Sequence, residues 1–244
     1  EHQLIPELIE SPVPFTNARG VYKEALGEFA ITAALFFAKD IRRLVRNQEA
    51  GRWEQFDVEE IRRKTMGIVG YGEIGRAAAQ RGKAMGMRIF ATRRKSSGAD
   101  SDGLAERFYP LGERGDMIAE SDVIVVSAPL TPETRGLVGE PEIQRMKSSA
   151  ILINVGRGPV VDETALIRAL EERRIRGAGL DVFDEEPLPA GHPFWRMDNV
   201  LLSPHSADHT SDWLEQGTQM FVDNFQRFVA GEPLLNIVDK RAGY

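Results

Sequence analysis

The sequence predicts an α/β fold, a doubly wound parallel sheet, from three observations. Short apolar runs, most of them β-branched, recur at residues 66–69, 87–91, 123–127, 151–155, 178–182 and 200–202. Helix-like stretches such as residues 163–173 separate them. Continuous apolar strands of this length mark a sheet buried on both faces, because parallel crossovers cover each side with helices. The third observation is a G-x-G-x-x-G, formed by Gly70, Gly72 and Gly75, between the first run and a helical stretch at 76–85.

Residues 1–14 are polar and proline-spiked with no period of their own, and the chain opens on Glu1, so it is expected to begin inside a larger protein. Leu26, Phe29, Ala30, Ala33, Phe37, Ile41 and Leu44 then recur at three- and four-residue steps and predict one long, rather apolar helix over 22–46. A charge-rich connection, residues 52–64, leads into the first strand. The glycines that follow predict a phosphate cradle. Gly70 permits a tight turn, Gly72 lets backbone approach a pyrophosphate, and Gly75 lets the helix pack closely on the strand. The helix start would face the phosphates with unpaired N–H groups and a positive dipole end. This is the fingerprint of a Rossmann dinucleotide-binding unit. At the end of the second strand, where an NAD-specific unit carries a carboxylate, stand Arg93, Arg94 and Lys95. A ribose 2′-hydroxyl wants an acceptor whereas a 2′-phosphate wants cations, so NADP is expected ahead of NAD. The chain closes with an amphipathic helix at 211–229, then Gly231, Pro233 and a tail.

Composition narrows the function. With 31 basic against 37 acidic residues and no basic stripe, a nucleic-acid partner is not expected. There is no cysteine, which excludes disulfides and thiolate metal sites. The longest apolar stretch, residues 29–38, is too short to span a bilayer, so no membrane partner and a cytoplasmic location are expected.

In open α/β sheets ligands bind beyond the carboxyl ends of the strands. Three residues share that address. Arg157 follows the 151–155 run between Gly156 and Gly158, Glu186 follows 178–182 ahead of Pro187, and His205 follows 200–202 behind Pro204. Singly they read as a surface cation, a loop acid beside Asp184 and Glu185, and a loop imidazole. Together they suit reduction of a 2-oxo acid. Histidine can deliver a proton to the carbonyl oxygen near neutral pH, a carboxylate beside it favours the imidazolium and holds the ring, and a guanidinium can bind the substrate carboxylate. His2, His192 and His209 lack the address and are expected to face solvent, with no metal site among the four histidines.

The chain resembles the D-isomer-specific 2-hydroxyacid dehydrogenases. The segments that carry the resemblance are Asn17 to Val21, Gly70-Tyr71-Gly72-Glu73-Ile74-Gly75, Ala128-Pro129-Leu130-Thr131 with Thr134-Arg135-Gly136-Leu137, Asn154-Val155-Gly156-Arg157-Gly158, Gly179-Leu180-Asp181-Val182-Phe183, Glu186-Pro187-Leu188-Pro189 and Ser203-Pro204-His205-Ser206-Ala207. The resemblance implies that Arg157 binds substrate, that His205 is the acid/base and that Glu186 is its partner. Formate dehydrogenases of similar fold pair their histidine with glutamine, so Glu186 points away from them. The resemblance also places Glu73 and Ile74 under the pyrophosphate. Pro129, Thr134, Val155 and Gly156 would line the cofactor, Asp181 would face the nicotinamide carboxamide, and Tyr71, His205 and Ala207 would be further contacts. A helix like 22–46 lies in the family's dimer interface, so a homodimer is expected.

Two departures matter. Arg93 and Arg94 make the cofactor turn similar to that of NADP-preferring glyoxylate and hydroxypyruvate reductases. The family's substrate domain is nearly absent: residues 1–17 would be its end, 18–208 the dinucleotide-binding domain, and 209–244 a helix and tail returning to it. The expected function is hydride transfer between NADP(H) and a small 2-oxo or D-2-hydroxy acid. The alternative is a dinucleotide-sensing interaction protein, since the corepressors called C-terminal-binding proteins have a similar fold and triad.

Overall fold

A computed structural model of the chain describes residues 5–93 and 102–243, without the side chain of Arg93. Its centre is a seven-stranded sheet: β1 (Thr65–Val69), β2 (Arg88–Arg93), β3 (Arg107–Pro110), β4 (Val123–Val126), β5 (Ile151–Asn154), β6 (Gly177–Leu180) and β7 (Val200–Leu202). Every pairing is parallel, in the order β3-β2-β1-β4-β5-β6-β7. Met66 lies opposite Ile89 on one side and Val123 on the other, which puts the order reversal between β1 and β4. The sequence predicts six strands and misses β3. That strand is the sheet edge, with Arg107 exposed and only Tyr109 buried, so it carries no apolar run.

Alternate residues of the central strands enter two separate cores. Ile68, Val125 and Ile153 pack with Ala30, Ala34 and Ala78 on one face. Val69, Ile124 and Leu152 pack with Ile118, Ile143 and Leu166 on the other. Burial of each such Ile or Leu side chain stabilises the fold by about 1.5–3 kcal/mol. The first core is roofed by α2 (Lys23–Ala38) and α4 (Glu73–Ala84), and the second by α5 (Arg114–Glu120), α6 (Glu140–Arg145) and α7 (Glu163–Glu171). Small residues let α2 come close: a Cβ at Gly27 would lie 2.9 Å from the Ala77 backbone, and one at Gly179 would lie 2.7 Å from Ala33 Cβ.

The single helix expected over 22–46 is two. α2 ends at Ala38, Asp40 takes a left-handed conformation (φ 48°), and its side chain accepts the Arg43 N–H at the start of α3 (Ile41–Glu49). An aspartate is better satisfied as a helix cap than inside a helix, and here it resets the axis.

The two ends of the chain are stitched together. A short helix, α1 (Pro6–Glu10), leads to a bridge between Thr16 and Ile237. Lys240 Nζ donates to the carbonyls of Leu8, Ser11 and Val13. The last helix, α8 (Trp213–Ala230), buries only Asn224, and Leu214, Phe221, Phe225 and Phe228 are exposed. No helix among the described residues is long and apolar enough to cross a membrane.

Candidate active site

Three strand ends meet beside the order reversal. Gly70, just after β1, has φ 96°, and a Cβ there would lie 2.5 Å from the Ala128 nitrogen after β4. A Cβ on Gly156, after β5, would lie 2.7 Å from the Ala128 carbonyl oxygen. Glycine is therefore required for these turns to approach one another. Gly75 is required too, with 2.6 Å to the Gly70 carbonyl, which seats α4 against β1. Gly72 differs: nothing lies within 4 Å of where its Cβ would stand, so the start of α4 opens onto free space. A helix start with free space beside it suits a pyrophosphate. The Glu73 carboxylate at this start is paired with Lys23 at 3.5 Å, and Tyr71 reaches sideways to donate to Asp102 Oδ2 at 3.0 Å.

After β4, Pro129 is exposed and its carbonyl accepts the Thr134 hydroxyl at 2.6 Å, closing the loop. After β5, Val155 and Gly156 are buried and Arg157 is exposed. Asn154, not foreseen from the sequence, shapes this turn. Its Oδ1 accepts the Gly156 N–H and its Nδ2 donates to the Arg157 carbonyl, both at 3.1 Å. The Arg157 guanidinium donates to the Gly156 carbonyl at 2.7 Å. Gly158 then lies against the next loop, since a Cβ there would be 2.0 Å from the Phe183 carbonyl group. The arginine loop and the glutamate loop are thus in backbone contact.

His205 and Glu186 come together as expected. His205 Nδ1 lies 2.6 Å from Glu186 Oε2, with side-chain exposures of 40% and 34%. Glu186 Oε1 accepts the Phe183 N–H at 2.9 Å, so both of its oxygens are engaged. His205 itself has φ 52°, a left-handed conformation that costs a non-glycine residue about 1–3 kcal/mol unless its surroundings impose it. Asp181, at the end of β6, imposes it. Its Oδ1 accepts from the Ser203 hydroxyl at 2.6 Å and from the Ser206 and Ala207 N–H groups at 3.0 Å each. Burial pushes the Asp181 carboxyl up from its ordinary value, and those three donors pull it back. The anchoring role has no spacing signal in sequence. A strand-end carboxylate announces only that it is near the site.

Two expectations need correction or delimiting. His192 does not face solvent: its side chain is 14% exposed and bonds Glu163, because the turn that follows folds it inward. His209 is exposed and stacks on Trp213. Arg93 ends β2 opposite Pro110, but its side chain, all of Arg94 and Lys95, and His2 lie outside the described residues.

A doubly wound sheet with a glycine-bound helix start at its order reversal, and a histidine–carboxylate pair beyond the strand ends of the same sheet, fits a dinucleotide-dependent oxidoreductase. The model of the NAD-binding domain of D-isomer-specific 2-hydroxyacid dehydrogenases matches residues 31–207, and the chain belongs to that family of NAD(P)-dependent dehydrogenases. The chain is 40% identical to a glyoxylate reductase of Aeropyrum pernix, an alignment covering 92% of the chain and 69% of that protein. It is 36% identical to a glyoxylate reductase of Thermococcus litoralis, over 97% and 73% respectively. Among solved structures, a D-isomer-specific 2-hydroxyacid dehydrogenase of Xanthobacter autotrophicus in complex with NADPH superposes with a TM-score of 0.87 at 37% identity, covering 100% of this chain and 98% of that one. An NADPH-dependent glyoxylate/hydroxypyruvate reductase of Sinorhizobium meliloti in complex with NADP has a TM-score of 0.85 at 27% identity, with coverage of 100% and 77%.

Proposed function

We propose that this chain acts as an NADPH-dependent reductase of small 2-oxo acids of the glyoxylate and hydroxypyruvate type. His205 is the general acid, Glu186 its partner and Arg157 the substrate-binding cation. The observation that carries this reading is the 2.6 Å contact between His205 Nδ1 and Glu186 Oε2. It engages Nδ1 and leaves Nε2 as the atom that gives the proton.

Residues 18–208 are read as the dinucleotide-binding domain. Gly70, Tyr71, Gly72, Glu73, Ile74 and Gly75 would hold the pyrophosphate. Pro129, Thr134, Val155, Gly156, Asp181 and Ala207 would line the remainder, and Arg93 and Arg94 would take the 2′-phosphate. Bound NADPH supplies the hydride that adds to the substrate's C2. As charge builds on the carbonyl oxygen, His205 Nε2 transfers its proton there and Glu186 stabilises the imidazolium. Arg157 turns its guanidinium from the Gly156 carbonyl to the substrate carboxylate, where two parallel hydrogen bonds fix the ketone. NADPH as cofactor is supported by the basic residues Arg93, Arg94 and Lys95 in the sequence and by the relatives solved with NADPH or NADP. Assembly is read as a homodimer through the α2–α3 region.

The test is NADPH oxidation with glyoxylate, hydroxypyruvate, pyruvate and phenylpyruvate, by the parent and by His205→Gln. Turnover with the first two should fall by about 100- to 10,000-fold in the variant, while NADPH binding is kept. Equal turnover in parent and variant would remove His205 from the mechanism.

A further inference from the structure

The turn that carries Glu186 is held from behind by a second histidine–carboxylate pair. His192 precedes the 3-10 turn Pro193–Arg196, and its ring packs on Phe194 with centroids 4.7 Å apart. The Phe194 N–H donates to His192 Nδ1 at 3.3 Å, which makes that nitrogen the acceptor and leaves the ring proton on Nε2. Nε2 lies 3.2 Å from Glu163 Oε1, at the start of α7. The other oxygen, Glu163 Oε2, accepts the Asp184 N–H at 3.1 Å. One peptide earlier, the Phe183 N–H donates to Glu186 Oε1. The hydrogen bonds run from His192 through Glu163 to the Phe183–Asp184 peptide; across the Phe183 Cα, the adjoining Val182–Phe183 peptide continues them to Glu186 and His205.

We propose that His192 and Glu163 are positioning residues: the His192 ring orients Glu163, Glu163 fixes the Phe183–Asp184 peptide and with it the Phe183 backbone, and the Phe183 N–H aims the Glu186 carboxylate at His205. The proposal rests on reading His205 and Glu186 as the acid and its partner. Packing alone does not account for the arrangement. Both nitrogens of His192 and both oxygens of Glu163 are used, which specifies rotamers as an oriented support does. The arrangement also sets two carboxyl groups side by side: burial and the Glu163 charge push the Asp184 carboxyl up, opposed by Arg135. Gly158 closes the other side of the same peptide, so it is gripped between α7 and the arginine loop.

The experiment follows the hydrogen-bonded Nδ1 proton of His205 in spectra of the protein labelled with 15N-histidine, together with glyoxylate reduction by NADPH. His192→Leu should move that proton signal upfield and speed its exchange. His192→Gln, which keeps an N–H donor for Glu163, should restore it. In turnover, His192→Leu should lower kcat about ten-fold with little change in KM, but less than about two-fold in a Glu186→Gln background, since residues in one hydrogen-bond network couple. Glu163→Leu carries the same expectation and replaces His192→Leu if that variant does not fold. An unchanged Nδ1 signal in His192→Leu or Glu163→Leu, or losses that simply multiply with Glu186→Gln, would overturn the proposal. If Glu186→Gln itself keeps the signal, the underlying acid–partner reading fails first, and the two failures are told apart.

Discussion

Two kinds of site divide the recognition of charge. Arg157 is exposed and its guanidinium donates to its own loop, to the Gly156 carbonyl. As the proposed anchor for a substrate carboxylate it is needed in ground and transition states alike. Arg157→Ala should therefore raise KM and lower kcat together, and a change in KM alone under steady-state assay would restrict the residue to binding. Arg93 and Arg94 are the proposed contacts of the cofactor 2′-phosphate. Their double replacement by alanine should weaken NADPH by about 2–4 kcal/mol while NADH changes little, as measured by fluorescence titration. Equal weakening of both cofactors would remove the 2′-phosphate contact. That Arg157, Glu186 and His205 would stand beyond strand ends was legible, because strand ends in this topology are addresses, and their roles are the ones proposed above. Asp181 as loop anchor, Asn154 as turn brace and the inward turn of His192 were not. Each depends on where a neighbouring loop folds back, which no local period encodes.

At the scale of elements, the buried strands announced themselves and the edge did not. β3 was hidden because its outer residues are charged, and the helix break at Asp40 was hidden because the apolar period runs straight through it. Both faces of the sheet give testable behaviour. Tyr109 on β3 donates to Glu120 at 2.8 Å, and burial first, then that carboxylate, pushes its hydroxyl up to about 12 from 10.0. A group raised on folding stabilises fully below its unfolded value, and that contribution is lost as pH rises between the two. Thermal unfolding midpoints should thus fall more steeply between pH 10 and about 12 in the parent than in Tyr109→Phe; matching slopes would refute this. Where the arginine and glutamate loops touch, Gly158→Ala would force a methyl into the Phe183 carbonyl group. The expected loss is about 3 kcal/mol in denaturant unfolding, with activity falling further because both loops move. A variant within about 0.5 kcal/mol of the parent would show that the contact is slack.

For the molecule as a whole, the proposed dimer can be weighed against what the chain buries by itself. Leu26, Ala30, Ala33, Ala34, Phe37 and Ala38 of α2 are already spent against α4 and the sheet. Phe29 and Phe36 remain half-buried, and Leu44 and Val45 on α3 are exposed. Those four are the residues through which the proposed two-fold dimer would pair. Light scattering at micromolar concentration should give twice the chain mass, and Leu44→Glu/Val45→Glu should give the monomer; a monomeric parent would discard the interface. The glycines carry a different lesson, one about design. A sequence fitted to this backbone alone would be driven back to glycine at 70, 75, 156 and 158 by collisions within the polypeptide. At 72 it would meet no such pressure and would drift to a larger residue. Of the three glycines in the motif, only Gly72 meets no collision within the chain, so on the proposed reading its constraint would come from the pyrophosphate, and its replacement by alanine would separate the demands of the ligand from those of the fold.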